Sequence, residues 1–364
     1  MKHLKPSGLW GDLEGHQLTL KPLITAASEN RLAGTLLFAG PSGIGKKRSA
    51  LTLAQALVCE TPLDQRVEEA GCGECGPCLR IAKGQSESLM VVEPDGAQIK
   101  IEQARSVLQF LNLQKLGRAR VIIIDQAHLL GPQAGNALLK SLEEPPSGTY
   151  FILISHLPNA ILATLRSRSQ LVRFKPLSDE SMRKILSRPE EFQPEKNEKK
   201  PAAKASAKAP PPPPKPVAPP PVDDWVLRSS HGSVEAAKRM LDQRDEFEAL
   251  EFATSAYLAA SLDGFPGGEI ATLKEHLKDR TTHGFVASTI QAAITDALKL
   301  KGGLKPPVTA KGSDRLNKLV GPLSEKPAAQ LDRLAQKSLD FESDLGRNVD
   351  RGLLLEALAI QLGK

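Results

Sequence analysis

Short apolar runs alternate with amphipathic stretches along the chain up to Lys175. This alternation predicts an α/β domain with a mainly parallel sheet, because parallel strands are joined by crossover helices. The apolar run at 121–124 is continuous, which is typical of a central strand covered on both faces. The predicted strands are 35–39, 89–92, 120–124, 150–154 and 170–174. The predicted helices are 46–58, 101–113, 132–143 and 159–165.

The pattern changes after Ser178. Helical periodicity at 179–186 and 233–241 predicts two short helices, and 247–364 is helical with breaks at 264–268, 302–307 and 321–327. The segment 189–221 is rich in Pro, Ala and Lys, so we expect a disordered or polyproline-like insertion that acts as a spacer or a docking site. The predicted domains are an α/β core at 1–176, a small helical lid at 177–245 interrupted by the insertion, and an all-helical domain at 246–364.

Composition narrows the class of protein. Apolar residues make up 40% and charged residues 25% of the 364 residues, which excludes a wholly disordered, collagen-like or membrane-embedded chain. No apolar run approaches the roughly 18 residues of a membrane span, and residues 1–15 lack the apolar core of a signal peptide. We therefore expect a cytoplasmic protein without a membrane partner. The net charge of +6 permits an acidic partner such as DNA but does not by itself predict tight binding.

A glycine-rich run joins the first predicted strand to the helix that follows it. The sequence there is Gly40-Pro41-Ser42-Gly43-Ile44-Gly45-Lys46. In this context the glycines let backbone N–H groups turn toward phosphates, and Lys46 reaches the β and γ phosphates. The run predicts a phosphate-binding loop for ATP or ADP, with a plain glycine-rich turn as the alternative.

Two residues depart from what ATP hydrolysis requires. The position after the loop lysine should carry a hydroxyl that binds Mg²⁺, and it carries Lys47. The strand 120–124 is followed by Asp125, which suits a metal-organising carboxylate, but the next residue is Gln126, whose amide cannot accept a proton. We therefore expect a degenerate site that does not hydrolyse ATP.

The only four cysteines of the chain follow the spacing C-x12-C-x2-C-x2-C. They are Cys59, Cys72, Cys75 and Cys78. Four thiolates at this spacing suit a closed tetrahedral Zn²⁺ site, and a closed site is structural because no coordination position stays open. Redox-active thiols and unliganded cysteines are the alternatives.

The tripeptide Ser167-Arg168-Ser169 lies between the last predicted helix and strand of the core. An arginine there is either a solvated surface residue or a group offered to the γ-phosphate of a neighbouring subunit. The second role can be worth about 10³ to 10⁵ in rate.

Together with the run Asn136-Ala137-Leu138-Leu139-Lys140-Ser141-Leu142-Glu143-Glu144-Pro145-Pro146, these motifs resemble those of a bacterial clamp-loader AAA+ subunit. The resemblance is strong over 10–174 and weak at Gly232-Ser233. It reappears at 348–362, which is similar to the last helix of the collar, the oligomerisation domain of this family. The insertion at 189–221 has no counterpart in the family pattern.

The family has an ATP-hydrolysing γ/τ branch and a non-hydrolysing branch. Lys47, Gln126 and Glu235 stand where the γ/τ pattern has Thr or Ser, Glu and Arg, so the resemblance favours the non-hydrolysing branch. It also implies that Arg168 is an arginine finger acting in trans, with Ser169 in place of the usual Cys. Ser155 matches the sensor-1 position, where a polar side chain faces phosphate.

The expected function is that of a stator, a fixed subunit that does not hydrolyse ATP itself. With γ/τ and δ subunits, as part of DNA polymerase III, it would complete the complex that opens the sliding clamp (β) and loads it on primed DNA. The alternatives are a γ/τ-type motor, a zinc-containing DNA-binding module, and a scaffold in which Arg168 has no role.

Overall fold

The computed structural model describes residues 8–66, 70–188, 222–278, 280–304, 314–345 and 350–363. The chain divides into two compact units, Met1–Pro219 and Pro220–Lys364. The predicted insertion at 189–221 lies outside the described residues, and the division between the two units falls within it. The predicted lid boundaries at 177 and 245 stay predictions.

The first unit contains a five-stranded sheet in the order β2-β3-β4-β1-β5. Every pairing is parallel, as the sequence predicts. The strands are β1 Thr35–Ala39, β2 Leu89–Val92, β3 Arg120–Ile124, β4 Thr149–Ser155 and β5 Gln170–Arg173. The first three have the predicted bounds, while β4 is one residue longer at each end and β5 is one residue shorter.

Helices cover both faces of this sheet. They are α1 Gln17–Ser28, α2 Lys46–Val58, α3 Gly76–Ala82, α4 Ile101–Asn112, α5 Pro132–Glu143 and α6 Ala163–Arg166. A further helix, α7 Asp179–Leu186, follows β5. In β1, Leu36 and Phe38 pack in the cluster that contains residues of α1 and α2, whereas Leu37 packs in the cluster that contains residues of α4 and α5. Both faces of the strand are therefore buried, which explains its continuous apolar sequence.

The prediction of one helix at 159–165 is wrong. A 3₁₀ turn at Pro158–Ala160 is followed by extended backbone at Ile161 and Leu162, and α6 begins only at Ala163. The extended backbone lets the Ile161 side chain enter the core, where it is 3% exposed. Core packing outweighs helix propensity in so short a segment.

The described part of the second unit is helical. Its helices are α8 Asp224–Ser229, α9 Val234–Asp242, α10 Arg244–Asp263, α11 Gly267–His276, α12 Arg280–Lys301, α13 Asp314–Glu325, α14 Ala328–Leu345 and α15 Arg351–Gly363. The predicted break at 321–327 is wrong over its first part, since α13 continues through Pro322. The buried neighbours Val320 and Leu323 anchor that turn in the core and offset the hydrogen bond that proline cannot make. None of the described helices of either unit is both long and apolar enough to cross a membrane.

Candidate functional site

The predicted phosphate site lies at the carboxyl edge of the sheet. The phosphate-binding loop Gly40–Lys46 follows β1, Asp125 follows β3, and Ser155 is the last residue of β4. All strands run in the same direction, so these segments meet at one edge. Glu93, which follows β2, is brought beside Asp125 because Val92 pairs with Ile124 in the β2–β3 register.

Glycines allow the tight path of the phosphate loop. Gly43 and Gly45 have φ angles of 69° and 94°, in the left-handed region that glycine adopts readily. A Cβ at Gly40 would lie 2.4 Å from the carbonyl oxygen of Phe174, so a larger residue does not fit there. Lys46 is buried, and its Nζ donates hydrogen bonds to the carbonyl oxygens of Gly40, at 2.7 Å, and Pro41. Its ammonium therefore lies across the loop.

Lys47 binds two carboxylates at this edge of the sheet. Its Nζ forms an ion pair with Oε1 of Glu93 and lies 3.9 Å from Oδ2 of Asp125. Burial raises the pKa of Asp125, while Lys47 and the N–H of Gln126, which donates to Oδ1 at 2.9 Å, lower it in part. The carboxylate that the sequence assigns to a metal thus has an ammonium beside it.

Mg²⁺ does not fit the donor set around Lys47. Two unit charges about 4 Å apart interact by about 4 kcal/mol at an effective dielectric constant near 20, and a divalent ion doubles this repulsion. The hydroxyl ligand expected at this position is absent, because the residue is a lysine. The geometry therefore disfavours a metal held by Asp125 in the usual way.

The hydroxyl of Ser155 takes part in hydrogen bonds within the chain. Its Oγ is 3.1 Å from Nδ1 of His128 and accepts a hydrogen bond from the N–H of Leu157 at 2.9 Å. The rings of His128 and His156 contact each other edge to face, with centroids 4.4 Å apart. Ser155 is buried, so its role toward a phosphate stays a prediction.

His16 packs under the phosphate loop. Its Nε2 lies 2.7 Å from the carbonyl oxygen of Ile44, and its ring contacts the edge of Phe174. The carbonyl can only accept, so Nε2 carries the hydrogen. Burial lowers the pKa of His16, the carbonyl of Ile44 raises it in part, and the nearby Lys46 ammonium lowers it further. The neutral ring therefore supports the loop.

Arg168 lies on the surface, in the turn between α6 and β5. Its Nε donates a hydrogen bond to Oε1 of Glu143, the last residue of α5, and its Nη1 donates to the carbonyl oxygen of Thr164 at 3.0 Å. Nη1 also lies 3.4 Å from the hydroxyl oxygen of Ser167. The side chain is 36% exposed. Nη2 makes no hydrogen bond to the part of the chain that the structure describes, which leaves it free to meet an external anion.

The four cysteine sulfurs form a compact cluster, as the spacing predicts. All of them lie within 4.8 Å of one another, with 3.9 Å between Cys72 and Cys78 and 4.0 Å between Cys59 and Cys75. A tetrahedral zinc ion with Zn–S bonds of about 2.3 Å requires sulfurs about 3.8 Å apart. The cluster fits this ion, and its geometry leaves no side for a further ligand.

Backbone N–H groups point at the sulfurs. Cys75 and Glu74 direct their N–H groups to Sγ of Cys72, at 3.3 Å and 3.4 Å. Burial alone would raise the pKa of Cys72, but hydrogen bonds from Thr61 and from these N–H groups lower it to about 6. Burial raises the pKa of Cys78. Donors around Cys72 thus favour the thiolate that a metal binds.

The cysteine cluster is fixed to the α/β core through the end of α2. Gln55 donates from Nε2 to the carbonyl oxygen of Cys78 and accepts the N–H of Leu9, each at 3.0 Å. The guanidinium of Arg66 donates to the carbonyl oxygen of Cys59 at 2.7 Å and to that of Ala56 at 3.1 Å. The side chains of Gln55 and Arg66 therefore hold the cysteine segment against the end of α2.

Glu235 belongs to the second unit. It lies in the first turn of α9, where the Ser233 side chain accepts the N–H of Ala236 at 3.2 Å. An acidic residue is favourable at this end of a helix because it complements the helix dipole. Within this unit, Glu235 therefore stabilises the first turn of α9.

Sequence reasoning missed four side chains that contact the predicted site residues. They are His16 against the loop, Glu93 on Lys47, His128 on Ser155 and Glu143 on Arg168. Glu93 could have been found, because it directly follows a predicted strand whose carboxyl end must lie at the site. No comparable signal marks His16 in the sequence.

Comparison with known proteins is consistent with the sequence motifs. The family model described as "DNA polymerase III, delta subunit" matches residues 15–178. The DNA polymerase III subunit delta' of Pseudomonas aeruginosa is 38% identical over 139 residues, which cover 37% of this chain and 41% of the relative. The subunit delta' of Bacillus subtilis is 34% identical over 164 residues, 45% of this chain and 48% of the relative.

Subunits named gamma/tau are also similar to part of the chain. The DNA polymerase III subunit gamma/tau of Mycobacterium tuberculosis is 34% identical over 183 residues, 49% of this chain and 31% of the relative. Each of these matches spans less than half of the relative's length. Residues 15–178 of this chain are thus similar to DNA polymerase III clamp-loader subunits, the delta-prime subunits among them.

Proposed function

We propose that this chain is the non-hydrolysing stator of a bacterial clamp loader. In this function it assembles with γ/τ and δ subunits into the complex that opens the β sliding clamp and loads it on primed DNA. The observation that carries the proposal is the Lys47 ammonium between Glu93 and Asp125, at the place where a motor subunit needs a metal. The chain is then a component of the polymerase assembly without ATPase activity of its own.

The residue after Asp125 supports the loss of hydrolysis. Gln126 has a left-handed backbone, with a φ of 51°, and its N–H donates to Asp125. An amide side chain cannot take the proton of an attacking water, so no general base stands at this position. The phosphate loop then keeps its shape through Lys46 and Gly40 without turnover.

Arg168 acts on the nucleotide of a neighbouring γ/τ subunit in this proposal. Its guanidinium is at the surface, and its ion pair with Glu143 is partly exposed. Exposed ion pairs contribute about 0 to 1 kcal/mol, so the contact does not lock the guanidinium, and Nη2 can meet a γ-phosphate while Nε stays on Glu143. An arginine finger stabilises the charge of the transition state and contributes about 10³ to 10⁵ in rate.

The helices of the second unit supply the contacts of the collar in this proposal. Leu353 and Ile360 lie on α15 seven positions apart, on one face of the helix, and are 63% and 50% exposed. Large exposed apolar side chains on one helix face are typical of a protein interface. This supports assembly with other clamp-loader subunits through α15.

The cysteine cluster has a structural role in this proposal. Cys59, Cys72, Cys75 and Cys78 hold Zn²⁺ with all four positions filled, so the ion stabilises the segment after α2 and does no chemistry.

Steady-state ATP hydrolysis tests the proposed function. The full chain is measured alone and then mixed with γ/τ, δ, clamp and primed DNA. We expect no turnover by the chain alone and stimulated turnover in the mixture, which Arg168→Ala lowers by about 10³-fold or more with assembly intact. Arg166→Ala is the matched control, because Arg166 is a neighbouring exposed arginine that contacts Asn159.

The γ/τ relative provides the second candidate function, that of a motor. Turnover by the chain alone that Lys46→Ala abolishes would establish the motor and overturn the stator. Stimulated turnover that survives Arg168→Ala would leave a scaffold in which this arginine has no role.

A further inference from the structure

Two carboxylates and one ammonium form a small cluster at the end of β2 and β3. Glu93 and Asp125 lie side by side because the two strands are in register, and Lys47 reaches both from the first turn of α2. Glu93 is 52% exposed and Lys47 is 42% exposed, whereas Asp125 is 21% exposed. Glu93 is therefore the solvated carboxylate of the cluster, and Asp125 is the shielded one.

We propose that the phosphate loop of this chain binds the diphosphate or triphosphate of a nucleotide without a divalent cation, with the Lys47 ammonium in the place of Mg²⁺. This inference rests on the proposed function only in that the chain does not hydrolyse ATP. It does not depend on Arg168 or on any neighbouring subunit.

The charges around the loop carry this inference. Lys46 and Lys47 supply two positive charges, and Glu93 and Asp125 supply two negative charges, so the cluster is balanced without a metal. An ammonium has three donors and no acceptor, which lets Lys47 keep a carboxylate while it meets a phosphate oxygen. Because Glu93 is half exposed, water can solvate it when a phosphate takes its place on Lys47.

The side chain of Lys46 also favours phosphate binding. Its Nζ bonds the neutral carbonyl oxygens of Gly40 and Pro41. Phosphate oxygens carry charge and form stronger hydrogen bonds with an ammonium than neutral carbonyl oxygens do. Lys46 thus gains when it exchanges a neutral carbonyl oxygen for a phosphate oxygen.

A residue with a hydroxyl in place of Lys47 would reverse the metal requirement. Lys47→Thr leaves Glu93 and Asp125 facing the phosphates with only Lys46 to balance them. The resulting repulsion is relieved when Mg²⁺ is supplied, which the new hydroxyl and Asp125 can hold. The variant therefore separates the role of the ammonium from that of the loop.

Isothermal titration of the full chain with ADP and with ATP tests the proposal. Each titration is made in buffer with Mg²⁺ and in buffer with EDTA. Zinc per chain is measured in both buffers, so that loss of the structural metal to EDTA is detected. We expect the wild-type dissociation constant to differ by no more than about twofold between the two buffers, because Lys47 already balances the carboxylates. Lys47→Thr should bind at least about tenfold more weakly in EDTA, the cost of one charged hydrogen bond, and recover with Mg²⁺. Lys47→Arg keeps the positive charge and should stay insensitive to EDTA.

Three results would overturn the proposal. They are wild-type binding that needs Mg²⁺, wild-type binding in neither buffer, and Lys47→Thr binding in EDTA as tightly as the wild type. Lys46→Ala should abolish binding in both buffers, which places the nucleotide at this loop. These titrations use the chain without any neighbouring subunit, so failure here and failure of the trans-acting arginine are distinguishable.

Discussion

The guanidinium of Arg168 and the carboxylate of Glu143 form an ion pair on the surface of the first unit, 25 residues apart in sequence. Glu143 ends α5, and Arg168 lies in the turn before β5. The runs 136–146 and 167–169, which the sequence presents as separate motifs, therefore meet at one place. Glu143 and the carbonyl oxygen of Thr164 fix two edges of the guanidinium and leave the third toward solvent.

Glu143 is expected to be a positioning residue for Arg168. Glu143→Ala frees the guanidinium to move, and a misplacement of about 1 Å can cost about 100-fold in rate. We expect the stimulated ATPase of the assembled complex to fall by about 10- to 100-fold in kcat, with KM for ATP unchanged. Glu143→Gln keeps an oxygen acceptor and should recover part of the loss.

Thermal unfolding provides the structural check on this variant. An exposed ion pair contributes about 0 to 1 kcal/mol, so Glu143→Ala should leave the melting temperature nearly unchanged. Glu144→Ala removes the adjacent exposed glutamate and serves as the matched control. Equal ATPase rates for the Glu143 and Glu144 variants would show that Glu143 has no positioning role.

Loss of one cysteine ligand should release the metal and loosen the first unit. Cys78 is buried and close to Cys72, so Cys78→Ser removes a shielded ligand. We expect zinc per chain to fall from one to near zero, and the melting temperature to fall by roughly 5 to 15 °C for a loss of about 3 to 5 kcal/mol.

Elemental analysis and calorimetry measure these two effects. Glu74→Gln changes an exposed residue between the ligands and should alter neither quantity. A zinc-free wild-type chain with the same melting temperature would contradict a structural metal.

Much of the first unit could be predicted because local pattern and burial agree there. The strands β1, β2 and β3 have the predicted bounds. Each contains an apolar run of four residues, 36–39, 89–92 or 121–124, that follows a polar residue and ends before Gly40, Glu93 or Asp125. Helix α2 also has its predicted bounds, because the glycine-rich phosphate loop marks where it begins. The helix predicted at 159–165 fails because burial of Ile161 is a long-range effect that periodicity does not report.

The site was predicted as a set of residues but not as a set of contacts. Motif spacing singles out Lys47, and the resemblance to clamp-loader subunits singles out Arg168. Their partners Glu93 and Glu143 come from other elements, and only the strand register and the packing of α5 bring them close. The departures from the ATPase pattern can thus be identified in the sequence. The carboxylates that pair with these charged residues can be identified only once the fold is known.

Tyr257 anchors α15 to α10 in the second unit. Its buried Oη donates a hydrogen bond to the carbonyl oxygen of Leu355 at 2.7 Å. Tyr257→Phe removes this bond and keeps the ring, so we expect a loss of about 0.5 to 1.5 kcal/mol in the free energy of unfolding, measured by urea titration. Tyr150→Phe is the matched control, since Tyr150 is half exposed and should contribute little. Equal losses in the two variants would contradict the assigned contact.

The buried His16 should make the stability of the first unit depend on pH. Burial lowers the pKa of His16 below its ordinary value of about 6.5, and the Lys46 ammonium adds to this effect. The unfolded chain then binds a proton at a higher pH than the folded chain does. Stability is full above about pH 6.5 and is lost as the pH falls toward the folded pKa, because protonation favours the unfolded state.

Urea unfolding at about pH 7.5 and about pH 5.5 measures this loss. His16→Gln removes the titrating group and keeps an N–H donor for the carbonyl oxygen of Ile44. We expect the wild type to lose more stability than the variant between the two values, while carboxylates and other histidines contribute equally to both. Equal losses would show that His16 takes up its proton without disturbing the loop. A larger loss in the wild type would show that the stable phosphate loop requires the neutral imidazole of His16, which donates to the carbonyl oxygen of Ile44.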